Sequence, residues 1–581
     1  MRTIFSKIKL DRKQIIWVLV LMLATSIAEM MLPTLLAQMI DNGVGGDSRS
    51  FIIRIAVIML IVAAVSCFAN IVATALSAGV STKFGADLRS AVFDKVQTFS
   101  AADMDKFETS SLITRSTSDV SNIQMFLSFL MRIGVMAPFM AIAGLVLSSV
   151  SGGGVSSALA IAIPVLLIAC GIIVIAAASY SVKLRQKLDR INQLFLETLE
   201  GVRVIRAFNK QEHEMNRFQA GNADYTKIAI KSGKVSGMLM PVINLIFGLT
   251  TVCVVGLGAH YVYIGEMEVG ALVANTQYIN MILLSIIMMT AVIMFFPTSY
   301  ACSKRIAEIL NTEPSITDGT MAVSDKKSKG HVQFCNVTFS YPNADEPVLK
   351  NISFESGPGE VTAIIGSTGC GKSSILKLIP RMYDPLFGEV WVDGVNVKDY
   401  KVSDLRNLIG YVPQKNVLFT GDIAYNLNFG KEDGTETDWK AAAQTACADE
   451  FIEKKTGTWH AEIAQGGTNL SGGQRQRMAI ARAVMKKPEI YLFDDSFSAL
   501  DMKTDKKLRQ NLKEQMGDAT VIMVAQRISS IIDATRILVI DKGEIVGNGT
   551  HKELLKDCPL YREIAEIQLG EEEVRHEIEN A

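Results

Sequence analysis

Six stretches, at about 15–39, 51–79, 125–150, 155–180, 238–264 and 269–297, each run to or beyond the ~20 apolar residues that a bilayer-crossing helix needs. No water-soluble core calls for so many, so the first half of the chain is expected to be a bundle of membrane helices. The connections between them are unequal. Asp41–Ser50, Ser151–Gly154 and Gly265–Glu268 are short and among them carry only Arg49 as a basic residue. The connections at about 80–124 and 181–237 are long, and hold Lys83, Arg89, Lys95 and Arg115, then Lys183, Arg185, Lys187, Arg190, Arg203, Arg206, Lys210 and Arg217. Basic loops stay on the cytoplasmic side, which places both long connections and both termini there. The first stretch is too long for a removable signal peptide and lacks its small-residue cleavage pattern.

Residues 2–13 alternate Ile4, Phe5 and Ile8 with Arg2, Lys7, Lys9, Arg12 and Lys13, as expected of an amphipathic elbow lying on the membrane surface among lipid headgroups. The long connections read as helices, with Ile191, Leu194, Phe195, Leu199, Val202 and Ile205 at three- and four-residue spacings. Their tips, Phe99–Phe107 and Phe208–His213, are candidates for contact with a soluble domain, and plain solvated connections fit as well. Within the spans Glu29, Arg54 and Arg132 are ionisable, and such residues usually face a bundle interior. Arg54 can snorkel to the outer surface. Glu29, beside Met30, Met31 and Pro33, is the better candidate for lining a pathway. Met281, Met288, Met289, Met294, Phe295 and Phe296 crowd the last span; they suit an adaptable apolar pocket, and packing explains most of them equally well.

At 581 residues the chain exceeds a single core, and the apolar excess stops near residue 300. A formal net charge of −1 gives no basic footprint for nucleic acid. The eight cysteines form no C-x-x-C pair and read as reduced core or membrane residues. The expected division is a transmembrane domain at 1–310, a polar linker at 311–330 and a soluble α/β domain at 331–581.

In the soluble part, the buried-strand pattern Val361–Ile365 runs directly into Gly366-Ser367-Thr368-Gly369-Cys370-Gly371-Lys372-Ser373-Ser374 and then a helix through about Ile379. This is the G-x-x-x-x-G-K-[ST] phosphate loop in its strand–loop–helix setting. Glycines let backbone N–H groups converge on phosphate oxygens, Lys372 neutralises the terminal phosphates, and the Ser373 hydroxyl can ligate Mg²⁺. A second apolar run, Ile490–Phe493, ends in the adjacent carboxylates Asp494 and Asp495, at the strand end where open α/β sheets bind ligands. Asp494 can hold Mg²⁺ opposite the loop, and Asp495 can reach an attacking water. Leu470-Ser471-Gly472-Gly473-Gln474 precedes a helical stretch, Arg475–Lys487, that Pro488 stops.

Leu470–Gln474, a short helix upstream of the acidic strand, resembles the signature sequence of ATP-binding-cassette (ABC) proteins. Six spans with two long cytoplasmic connections, followed by one cassette, resemble an ABC exporter half-transporter. That resemblance implies a six-helix α-helical transmembrane domain plus an α/β P-loop ATPase domain, in the bacterial inner membrane with the cassette cytoplasmic. It implies ATP and Mg²⁺ as cofactors and a small amphipathic substrate, although drugs, lipids and peptides are all carried by this architecture. It also assigns roles. Tyr341 matches the aromatic residue that stacks on adenine, Gly366–Ser374 the Walker A loop, and Gln414 the Q-loop residue at Mg²⁺. Ser471, Gly472, Gly473 and Gln474 match the signature, Asp494 the Walker B aspartate, and Ser498–Asp501 the D-loop. In the family two cassettes sandwich two ATP molecules, so a second half-transporter is required.

Two positions depart from the family pattern. Asp495 stands where the catalytic glutamate is expected, and Gln526, after the strand-like Val521–Ala525, stands where the switch histidine is expected. The first shortens the base by one methylene; the second cannot titrate. Both weaken hydrolysis and spare binding. The pattern is similar to the degenerate member of a heterodimeric bacterial exporter pair, with a homodimer, or an ATP-gated channel, as the alternatives.

Overall fold

The computed structural model describes residues 2–579 apart from 9, 47, 151–154, 322–328 and 343, and for 2, 3, 155–160, 573 and 579 the backbone only. The short connection predicted at 151–154 and the lysines at 326 and 327 therefore lie outside the described residues. The chain divides into two compact units, Met1–Lys95 with Ile113–Asn311, and Val96–Leu112 with Thr312–Ala581.

In the first unit, six helices among the described residues are long and apolar enough to cross a membrane: Arg12–Val44, Arg49–Gln97, Thr109–Val150, Ile161–Glu200, Gln211–Tyr263 and Val269–Asn311. Arg49–Gln97 has 49 residues, so it extends about 74 Å at 1.5 Å per residue, far beyond a ~30 Å hydrocarbon core. The expected helical character of the long basic connections is thus realised as continuation of the spans, interrupted at 98–100, 108, 201 and 208–210. The first, third and sixth helices meet at Met30, Met140, Ala274 and Tyr278. The fourth, fifth and sixth meet at Leu166, Ile243, Val254 and Ile282.

Lipid is as apolar as the helices, so close approach and buried polar pairs hold such a bundle together. At Gly144 a Cβ would come within 2.8 Å of Ile282, so only glycine allows these two helices to touch. Ser148 donates to Asn275 at 2.6 Å, and the Thr34 and Tyr278 hydroxyls are 2.7 Å apart. Toward the inner end, Arg305 grips Asp119, with Nε 2.7 Å from Oδ2. The second predicted tip is solvent-facing within this unit. Phe208 is exposed, and with Val204, Ile205, Lys210, His213 and Glu214 it lines a shallow hollow.

The second unit is an α/β domain with two principal sheets. Its larger sheet has the spatial order Glu544–Gly549, Arg536–Asp541, Val361–Gly366, Thr520–Val524, Ile490–Asp494 and Ile409–Val412. All neighbours are parallel except the first pair. Ile490–Asp494 and Thr520–Val524 are buried at every position, as a central parallel strand must be when both faces are covered. The smaller, antiparallel sheet orders Leu349–Ser356, Val332–Phe339, Phe387–Val392 and Val395–Asn396.

The first predicted tip belongs to this second unit. Ser100 caps the helix Ala101–Phe107 in a reciprocal capping box with Asp103. Asp103 also accepts from the Ser315 backbone N–H at 3.0 Å, and the Tyr383 hydroxyl donates to Asp105 at 2.7 Å. Burial raises the Asp103 pKa, but the hydrogen bonds from Ser100 and Ser315 outweigh it and hold the carboxyl below the usual aspartate value.

Candidate active site

The parallel order of the larger sheet places the ends of Val361–Gly366, Ile490–Asp494 and Thr520–Val524 side by side, in register. Each of the three strands delivers one part of the site: the phosphate loop, the two carboxylates, and Gln526. Gly366 has φ +156°, and a Cβ there would lie 2.0 Å from the Ile540 carbonyl oxygen. Gly371 has φ +102°, and a Cβ would press on Leu349 at 2.7 Å. Backbone geometry and space thus both demand glycine at the two ends of the loop. Ser367, Thr368 and Gly369 are exposed at its crest, whereas Cys370 is buried beneath it at 6% exposure.

Lys372 opens the helix Lys372–Leu378. Its ammonium donates back into the loop, to Gly366 O at 2.9 Å and Ser367 O at 2.6 Å, with Cys370 Sγ 3.7 Å away. The Ser373 hydroxyl donates to Asp494 Oδ1 at 2.6 Å. The Mg²⁺ ligands predicted on the phosphate loop and at the end of the acidic strand therefore converge, and Asp494 is 3% exposed. Hydroxyl and carboxylate oxygens at this spacing fit a hard divalent cation, and a lysine at the mouth of a glycine loop fits a polyphosphate.

Asp495 is set apart from Asp494 by its backbone. It has φ +49°, the left-handed region that costs most residues roughly 1–2 kcal/mol and that aspartate, with its short polar side chain, tolerates better than most. This turn aims its side chain at the neighbouring strand, where Gln526 Nε2 donates to Asp495 Oδ2 at 2.7 Å. Burial pushes the Asp495 carboxyl above the usual aspartate range and the Asp494 charge adds to this, while Gln414, Ser498 and Lys372 pull it down. The two departures from the family pattern are thus directly bonded to each other.

The remaining predicted residues fall into two groups. Gln414 is exposed and acts on Asp495 through its side chain. Tyr341 lies beside the loop, its hydroxyl 3.0 Å from Ser374 Oγ and 3.3 Å from Lys377 Nζ, and the same lysine stands 5.4 Å over its ring. Ser471–Gln474 are elsewhere: among the described residues no hydrogen bond joins them to Gly366–Ser374. Ser471 caps Gly472–Met485 with Gln474 in a reciprocal box, so that helix starts three residues before the expected Arg475. Asp501 caps Met502–Met516 by accepting from Thr504 N–H at 3.0 Å.

Two residues escaped the sequence reading. Gln476 is buried, and its amide bridges Asp495 O at 3.4 Å and Ala499 N–H at 3.1 Å, so the signature helix holds the backbone of the carboxylate turn. Its only sequence signal was a polar residue on the buried face of an amphipathic helix. The Tyr411 hydroxyl lies 3.5 Å from Asp494 Oδ2; burial first, then Asp494, push its pKa well up, so it stays a donor.

Comparison with known proteins agrees with this architecture. Residues 15–299 match the ABC transporter transmembrane region family, and 349–498 match the ABC transporter family. The uncharacterized ABC transporter ATP-binding protein MT1311 of Mycobacterium tuberculosis is 37% identical over 96% of both chains. The probable multidrug resistance ABC transporter ATP-binding/permease protein YheI of Bacillus subtilis is 30% identical, over 95% of this chain and 94% of its own. A solved bacterial Atm1-family ABC exporter with ATP bound superimposes with a TM-score of 0.80 at 25% identity, covering 95% of this chain and 97% of that one. With six spanning helices, a glycine loop facing a strand-end carboxylate and these relatives, the chain belongs to the ABC transporter family, as an exporter-type half-transporter with an ATPase domain.

Proposed function

We propose that this chain is one half of a heterodimeric ATP-driven exporter of amphipathic compounds, in the inner membrane with its ATPase domain cytoplasmic, and that its own Walker site binds ATP and hydrolyses it slowly. One observation carries the reading: Ser373 beside the glycine loop meets Asp494, as a phosphate and metal cradle would require, while the base position holds an aspartate already tied to Gln526. Lys372 would leave the Gly366 and Ser367 carbonyls to neutralise the terminal phosphates. Ser373, Asp494 and Gln414 would hold Mg²⁺, and Tyr341 would offer a ring face to adenine. Bound Mg²⁺ would polarise the terminal phosphate and screen its charge.

Asp495 is the weak element. One methylene shorter than glutamate, it stops about 1 Å short of a glutamate's reach, and a misplacement of that size can cost on the order of 100-fold in rate. Gln526 can donate a hydrogen bond but cannot carry a proton through the step. The signature Ser471–Gln474 is intact and would complete the partner's site. YheI, named as a probable multidrug transporter, supports the amphipathic substrate class.

The test is ATP turnover. Reconstituted alone, the chain should bind ATP and hydrolyse it slowly; co-reconstituted with a half-transporter that carries a Walker B glutamate, it should turn over briskly and drive vanadate-sensitive uptake into inside-out vesicles. Brisk turnover by the chain alone would overturn the heterodimer.

A further inference from the structure

The turn that carries Gln526 is held from a helix near the end of the chain. Thr520–Val524 runs within the sheet, and the Ala525 N–H, donating to Ile364 O at 3.1 Å, makes the last backbone bond to a strand. The chain then leaves the sheet and reaches the short turn Ile528–Ser530. In between, the Gln526 carbonyl accepts from Gln568 Nε2 at 2.8 Å, and the Ile528 N–H donates to Gln568 Oε1 at 2.7 Å. Among the described residues no other hydrogen bond reaches that carbonyl or that N–H. One amide therefore grips the backbone on both sides of Arg527.

Gln568 lies at the end of the helix Pro559–Leu569. Tyr561 and Ala565 on that helix are fully buried in the same core cluster as Ile528. Gln568 follows them by seven and three residues, so the helix presents it on the same face. The helix is itself tied down, with the Tyr561 hydroxyl 2.7 Å from His551 Nδ1 and His551 Nε2 2.8 Å from Glu577 Oε2. Gln568 is solvent-exposed at the rim of this packing. Apolar burial therefore does not fix its direction; its two hydrogen bonds do. An amide offers a donor and an acceptor side by side, which matches a carbonyl and an N–H two residues apart, whereas a carboxylate would serve the N–H and oppose the carbonyl.

We propose that Gln568 is a positioning residue for ATP hydrolysis at this chain's Walker site, because it fixes the turn from which Gln526 reaches Asp495. This role rests on the reading above that the site hydrolyses ATP slowly. Gln526 Nε2 stands 2.7 Å from Asp495 Oδ2. A misplacement of about 1 Å at such a contact can cost on the order of 100-fold in rate. Among the described residues Gln568 has no hydrogen bond to the phosphate loop, Asp494 or Asp495, so its loss spares ATP binding.

The test uses the full-length chain reconstituted alone, so that every Walker site present is its own, and radiolabelled ATP under single turnover. Gln568→Ala should lower the rate constant about fivefold while the ATP dissociation constant stays within about twofold. In a Gln526→Ala background the same change should alter the rate by less than about 1.5-fold, because the residue through which it acts is already gone. Hydrogen exchange at the Ile528 amide should quicken in Gln568→Ala. Gln568→Glu, of equal length but with no donor for the Gln526 carbonyl, should lose as much rate and keep that exchange slow. Equal rate losses in both backgrounds overturn the positioning role, because Gln568 would then serve only the stability of the domain. An unchanged rate, unchanged exchange at Ile528, or a dissociation constant that rises as far as the rate falls overturns it too. Brisk turnover by the wild-type chain alone, with the two substitutions still non-additive, overturns the heterodimer reading and leaves the positioning role standing.

Discussion

The end of one strand supports two chemistries that this chain treats differently. On one side of the Ile490–Asp494 strand, Asp494 meets Ser373 at 2.6 Å, and Lys372 lies folded in a loop shaped by two obligatory glycines. On the other side Asp495, one residue on, turns through a left-handed backbone and is held by Gln526 at 2.7 Å. The two carboxylates are adjacent at one strand end and both buried, yet they differ in what faces them. Asp494 faces a hydroxyl and a lysine loop, the proposed cradle for metal and phosphate. Asp495 faces an amide that can orient it but cannot exchange a proton with it. On the proposed function, holding ATP and cutting it are separable tasks, because different neighbours face the two carboxylates.

That separation can be broken most sharply at Lys372. Lys372→Ala should lower ATP affinity by about 100-fold, the loss of a charge-assisted contact to phosphate, while Asp495→Asn should leave affinity within about threefold. Isothermal titration of the two variants measures both, and equal losses would mean that the two sides act as one. A smaller effect is expected from repairing the second side. Asp495→Glu with Gln526→His should raise single-turnover hydrolysis at this chain's Walker site by roughly tenfold, less than the ~100-fold that reach alone could cost. The shortfall has a cause in the backbone: glutamate tolerates the left-handed conformation at 495 less well than aspartate. No change in rate would place the limit outside these two positions, in the signature of the proposed partner or elsewhere.

Much of this contrast was legible in the chain itself. The six spans follow from run length, and the cradle follows from a glycine loop preceded by an apolar strand, because both depend on local order along the sequence. The Asp495 and Gln526 departures were also visible, but only as two separate residues. Their 2.7 Å bond is a product of strand order, since Thr520–Val524 lies between Val361–Gly366 and Ile490–Asp494, and no local pattern encodes which strands become neighbours. Gln476 was missed for the same reason. Its amide reads as one more polar residue until tertiary packing puts Asp495 O and Ala499 N–H within its reach. The tip at Phe99–Phe107 shows the opposite limit. The sequence marked it as a candidate for contact with a plain solvated connection as the alternative, and the contacts themselves, Asp103 with Ser315 and Asp105 with Tyr383, join residues more than 200 positions apart.

The finest probe of the second side is the pH dependence of stability. Burial, followed by the Asp494 charge, raises the folded-state pKa of Asp495 above its ordinary value of 3.8. A raised carboxyl favours the folded state while it is protonated, and that contribution is lost as pH rises through the folded pKa. Above that point the fold carries an ionised carboxylate at a cost. Asp495→Asn keeps an oxygen that can accept from Gln526 and never ionises, so it escapes the cost. The stability of the Asn variant relative to wild type should therefore increase as pH climbs from about 3.8 and level off once the folded carboxyl is ionised. Denaturant midpoints of the nucleotide-free protein, taken across that range, would show the rise. A relative stability that falls with pH would mean that Lys372, Gln414 and Ser498 outweigh burial at this position, and the two carboxylates would then be far more alike than their surroundings imply.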